Sequence, residues 1–155
     1  MNSLLYNIFI PILLGLIMNG IIFTFKLNKN LKISEKSILP SGYIVGSVWI
    51  VILGLLGYVH YLLYNKYEGI TVSSLLVLLF ILYCILYPII VNYNPKISLL
   101  LNLFSLIFAF ILALFIIKES FYIFLFIIPL LIWLSLVNIS DVLVCSDIDV
   151  YVKKL

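Results

Sequence analysis

Charge is confined to short patches in this chain, and before and between them lie five uncharged stretches: residues 1–25, 37–65, 69–95, 97–117 and 120–140. Inside them the titratable side chains are His60, Cys84 and tyrosines. A helix rises 1.5 Å per residue, so about 20 apolar residues cross the hydrocarbon of a bilayer, and 18 or more without charge make a candidate span. All five stretches reach that length. Hydrocarbon offers backbone N–H and C=O groups no partner, and the stretches lack the alternation of a lipid-facing barrel strand, so each must close its hydrogen bonds internally as a helix. The pattern predicts an all-α polytopic membrane protein, a bundle of five transmembrane helices at about 4–25, 42–64, 70–91, 97–117 and 121–144.

The spans leave little else. The chain is 66% hydrophobic and 10% charged, where a soluble domain carries about 25% charge. Most of the 155 residues fall inside the spans, so residues 1–155 read as a single membrane domain. A net charge of +3, scattered along the chain, gives no footprint for nucleic acid. Residues 1–11 hold no basic residue and no small-residue cleavage site, so a removable signal peptide is not expected.

Lysines in short loops mark the cytoplasmic side. Lys26, Lys29, Lys32, Lys36, Lys96, Lys153 and Lys154 fall on one side of a five-span topology, and Lys66 and Lys118 on the other. That imbalance places the C-terminus in the cytosol and the N-terminus opposite. The one long connection is the Lys-rich loop from Lys26 to Pro40, and the Asn92–Lys96 segment reads as a turn ahead of Pro95.

Within the spans, a few residues stand out against the apolar background. Ser105, Ala109 and Ala113 recur every fourth residue on the fourth helix, a small-residue stripe that lets membrane helices approach closely, within the chain or between two copies in a homodimer. Gly42 and Gly46 repeat that spacing at the start of the second helix, and Gly54 and Gly57 in mid-helix admit a neighbour or a ligand. Pro88 and Pro129 remove backbone bonds from the third and fifth helices and predict kinks that shape a cavity or serve structure alone. His60 has no Cys, Asp or Glu at ligand spacing, so a hydrogen bond near the outer interface suits it better than a metal. Asp141, within about a turn of the end of the last helix, is a functional candidate by its position in a span, or it snorkels to water. Cys84 and Cys145 read as buried thiols. Leu62, Tyr64 and Lys66 fit a permissive sterol-contact pattern, but Tyr64 and Lys66 at a helix end are more often plain interfacial anchors. No nucleophile–base pair, carboxylate dyad, phosphate loop or metal cluster assembles from the sequence, so neither an enzyme nor a resident cofactor is expected.

The second helix reads Pro40-Ser-Gly-Tyr43-Ile-Val-Gly46-Ser-Val48-Trp49 and then Gly57-Tyr58-x-x-Tyr61-Leu62. This resembles the translocator protein / tryptophan-rich sensory protein (TspO/MBR) family, whose second helix opens on prolines and tryptophans ending in Val-Trp and, in animal members, continues with a Gly-Tyr-x-x-Tyr-Leu segment. Ile128-Pro129-Leu-Leu131-Ile-Trp133 is similar to the family's fifth helix, Asp141 stands where the family has an Asn, and the third helix keeps the family's proline as Pro88. Tyr43 replaces a Trp, Leu53 a Tyr, and Tyr83 and Leu86 the Asn and Trp of the family's third helix. The resemblance implies a five-helix bundle whose cavity, closed by the first loop, binds porphyrins and, in animals, sterols and drug-like ligands.

The expected function is therefore binding of a flat apolar ligand, a tetrapyrrole or a sterol, within the bundle, for transport or sensing. A pocket for such a ligand has apolar and aromatic walls and a few orienting polar groups. Trp49, Tyr58, Tyr83 and Trp133 are the candidate aromatic contacts, Asn138 and Asp141 the polar ones, and Gly46, Pro88 and Pro129 shape the cavity. Each aromatic is equally suited to filling the core. A membrane scaffold with a collapsed pocket around Leu53 and Leu86 is the alternative, and a small transporter, needing more polar groups at mid-depth, is a weaker one.

Overall fold

The computed structural model describes residues 3–25, 38–91 and 95–152, with side chains described over 4–25, 38–88 and 97–144. The predicted loop cover over 26–37, the turn residues 92–94 and the side chain of Cys145 lie outside those ranges. Every regular element among the described residues is a helix: α1 (Ser3–Thr24), α2 (Gly42–Tyr67), α3 (Val72–Val91), α4 (Pro95–Glu119), α5 (Phe121–Phe124) and α6 (Ile128–Val152). Four stretches are long and apolar enough to cross a membrane, with Phe121–Val144 running through the α5–α6 break, and Val72–Pro88 is a shorter fifth. The chain is a multi-pass membrane bundle.

Three boundaries differ from the sequence expectation. α2 continues past Tyr64 to Tyr67, where Lys66 donates from Nζ to the Glu119 carbonyl and Glu68 turns left-handed at φ 52° to stop the helix. Thr71 and Ser74 then cap α3 reciprocally, each hydroxyl accepting the other's backbone N–H at 3.1 and 3.2 Å. Pro95 opens α4 rather than closing a turn, because the first helical position needs no N–H donor. α6 runs on to Val152 across a segment whose polarity suggested a tail.

The predicted fifth helix is broken, not merely kinked. Ser120 caps α5 by accepting from the Ile123 N–H, and the chain then tightens into i−3 bonds, Phe126 N to Ile123 O at 3.1 Å and Ile127 N to Phe124 O at 2.9 Å. Pro129 has no N–H to return to Leu125, so the helix cannot run through this point and restarts at Ile128 with the proline in its first turn.

Packing follows the chain: α1 lies on α2, α2 on α3, α3 on α4 and α4 on α6, while α1 also leans on α3 and α5 touches α2. Phe80, Leu56, Leu63, Leu112, Ile116, Ile127, Leu130 and Leu134 are fully buried, so the core sits among α2, α3, α4 and α6. The Ser105–Ala109–Ala113 stripe is buried inside the chain, which assigns it to packing within the bundle. Around the outside, Leu100, Phe104, Phe110, Leu114, Phe9 and Leu13 are exposed, an apolar surface suited to lipid and not to water.

Candidate functional site

The sequence-derived candidates do not converge on one pocket. They fall into four places, each set by how a neighbouring segment approaches α2 or α4.

Among the described residues a groove of about 530 Å³ lies between α2 and α6, walled by Val48, Val51, Ile52 and Leu55 on one side and Pro129, Ile132 and Trp133 on the other. It exists because α5 holds the last segment against α2 at one end, while the break at Leu125–Ile127 redirects α6. Ser47 lines the groove, but its hydroxyl donates to the Tyr43 carbonyl at 2.9 Å. Trp133 is 92% buried, yet its indole N–H has no hydrogen-bond partner. An unpaired donor beside an apolar groove of this size fits a ligand that brings one acceptor on an otherwise apolar body.

Trp49 lies on the other side of α2. It shares a space of about 40 Å³ with Gly15, Met18, Asn19, Leu53, Cys84 and Pro88, too small for anything beyond a solvent molecule or two. Leu53 is 3% exposed and fills the position between α1 and α2, against Gly15. Gly46 belongs to the same contact: its carbonyl accepts from Asn19 Nδ2 at 3.4 Å, and an added Cβ would come 3.1 Å from that atom. Pro88 sits beside Trp49 as part of this packing.

Tyr83, Asn138 and Asp141 meet around α4 instead. The Tyr83 hydroxyl donates to the Leu101 carbonyl at 2.9 Å, with the Ser105 hydroxyl 3.1 Å from the Tyr83 oxygen. Tyr87 donates to Asn102 Oδ1, and Asn102 Nδ2 donates to Asp141 Oδ2. Asn138 Nδ2 reaches the Asn102 carbonyl at 3.0 Å and its own helix at Leu134 O at 2.8 Å. Three helices are stitched together by this network, and Asp141, rather than snorkelling alone, is tied to α4. Tyr58 is apart from all of these, edge-on to Phe126 at 5.1 Å where α2 meets the α5–α6 turn.

A further feature escaped the sequence reading. Between α1, α2 and α3 lies a cavity of about 290 Å³ in which His60 Nδ1 is 2.6 Å from Asn7 Oδ1. The signal was there: His60 and Asn7 are isolated polar residues in otherwise apolar helices, and each belonged near the same membrane face. The hydrogen bond expected of His60 is present. Among the described residues no group of three or more His, Cys, Asp or Glu side chains comes together to hold a metal.

Comparison with known proteins gives one match. Residues 7–142 match the TspO/MBR family, a range that reaches into every helix framing these openings. No curated protein and no solved structure matches the chain.

Proposed function

The chain belongs to the TspO/MBR family, and from that premise we propose that it binds a flat apolar ligand, a tetrapyrrole or a sterol, in the groove between α2 and α6, for transport or sensing. The observation that carries this reading is the groove itself: about 530 Å³ of apolar space, within the range of small-molecule sites, bordered by a tryptophan whose N–H lacks a partner. Two of the residues named from sequence, Trp133 and Pro129, wall it. Asn138 and Asp141 support the site indirectly, by fixing α6 against α4, and Tyr83 fixes α3 against α4.

The lysine distribution supports a cytosolic C-terminus with Lys66 and Lys118 on the opposite face. A reporter fused after Leu155 is expected in the cytosol and one inserted at Lys66–Glu68 outside it; both on one side would remove the five-span topology.

A second reading, a membrane scaffold that binds nothing, draws on the filled space at Trp49 and on the protein partners already held by Tyr83, Asn138 and Asp141. Titration of the purified protein with protoporphyrin separates the two. Saturable binding is expected, weakened about tenfold by Trp133→Ala, by analogy with an aromatic face stacked on a planar base, and less by Trp49→Ala. Absence of saturable binding in the wild-type protein would favour the scaffold.

A further inference from the structure

The cavity between α1, α2 and α3 is independent of the α2–α6 groove and shares none of its residues. It is a slot rather than a chamber. Its α1 wall runs from Tyr6 through Ile10 and Pro11 to Leu14, a length of about 12 Å at the helical rise. The opposing wall is Leu78, Ile81, Leu82 and Ile85 of α3. Tyr6, Ile10, Leu14 and Leu82 are between 40% and 54% exposed, so the slot opens toward lipid between α1 and α3. At one end stands His60, only 9% exposed. It lies seven residues before the last residue of α2, about 10 Å below that helix end, a depth where a lipid's head meets its chains.

The tautomer at His60 follows from its neighbour. Asn7 Oδ1 is an acceptor, so Nδ1 carries the proton that bridges the 2.6 Å contact. Nε2 of the neutral ring is then an acceptor, and it is buried without a partner. What completes the site must bring a donor.

We propose that this slot binds an acyl lipid with a free hydroxyl, its chain lying along α1 and α3 and its hydroxyl donating to His60 Nε2. About 290 Å³ spread along an α1 wall of about 12 Å suits one hydrocarbon chain better than a fused-ring plate. An alcohol satisfies the orphaned acceptor, whereas an ester or a phosphodiester head, having no donor, does not.

The chain contains a single histidine, so selective ¹⁵N-histidine labelling reports this imidazole alone. The full chain would be placed in phosphatidylcholine nanodiscs and titrated with 1,2-dioleoylglycerol, with its 3-acetyl ester, and with cholesterol. Dioleoylglycerol is expected to move the Nε2 resonance upfield saturably, while the acetyl ester leaves it in place and cholesterol moves it far less. Leu82→Trp, which fills the slot from the lipid side without touching His60, is expected to weaken the response at least fivefold. No shift with dioleoylglycerol, an equal shift with its ester, or an equal shift with cholesterol would overturn the proposal. The wild-type titration decides the matter if the variant fails to fold, and none of these outcomes bears on protoporphyrin binding at the α2–α6 groove.

Discussion

α1 and α4 are both apolar membrane helices of similar length, and the bundle holds them in opposite ways. α4 buries a seam of Asn102, Ser105, Ala109, Leu112 and Ile116, with intervals alternating between three and four as in a coiled coil. Among its described side chains α1 buries only Pro11 and Gly15. It stays in place through the thinness of α2: at Gly57 an added Cβ would lie 2.0 Å from the Asn7 carbonyl, and at Gly54 one would lie 3.1 Å from Ile12. Lipid tails are as apolar as leucine, so burial of side chains gives helices no net drive to associate, and close backbone approach and polar pairs decide. α4 has both in quantity. α1 has backbone approach and the His60–Asn7 pair, and the openings around it follow.

The sharpest way to break that comparison is at Gly57. Gly57→Leu forces α1 away from α2 and is expected to cost stability at the upper end of the overpacking range, about 3 kcal/mol, read as thermal unfolding in detergent. Protease sensitivity should rise in α1 while α4 and α6 stay protected. Equal loss of protection across all helices would show that α1 is no more separable than the rest.

Ala109→Leu tests the other helix. Ala109 is fully buried in the α4 seam, so the larger side chain is expected to cost about 1–3 kcal/mol and to disturb the bundle as a whole. A variant with wild-type stability would place the stripe at the lipid surface and remove the contrast. The smallest effect is expected from Tyr87→Phe, which deletes one donor to Asn102 and should lower stability by about 0.6 kcal/mol, the average for a polar pair between membrane helices. A loss several times larger would mean that the Tyr87–Asn102–Asp141 chain, more than the small residues, holds α4.

The same contrast explains what could be read in the sequence. The five spans were legible because Lys, Glu and Asp are costly in hydrocarbon, and the charges lie at or near their ends, at Lys26, Lys36, Lys66, Glu68, Lys96, Lys118, Glu119 and Asp141. The break ahead of Pro129 was legible as a distortion, though not its extent, because the tight turn at Phe126 and Ile127 depends on how α5 docks against α2. The direction each aromatic faces was not legible. A helix apolar all round carries no stripe to mark its buried side, so nothing in the sequence says that Trp49 turns toward α1 and Trp133 toward the groove. Polar residues were better guides. Asn102, Asp141 and His60 each had to find a partner, and each did, although only their assembly shows that Asp141 belongs to α4 and His60 to Asn7.

The interruption between α5 and α6 also has a mechanical side. α5 is pinned by its serine cap and by contact with α2, whereas α6 is a rod of 25 residues, about 37 Å long, starting at a point where the helical ladder is cut. Rotation about that point is multiplied by the arm: each degree displaces the far end by about 0.6 Å, which follows from the rod's length. Asn102 and Asp141 grip the rod well along its length, and so act as a detent on its swing. The groove beside Trp133 thus adjoins a segment of α6 lying between two marked points, the cut ladder at Pro129 and the hydrogen bond that ties Asp141 to α4.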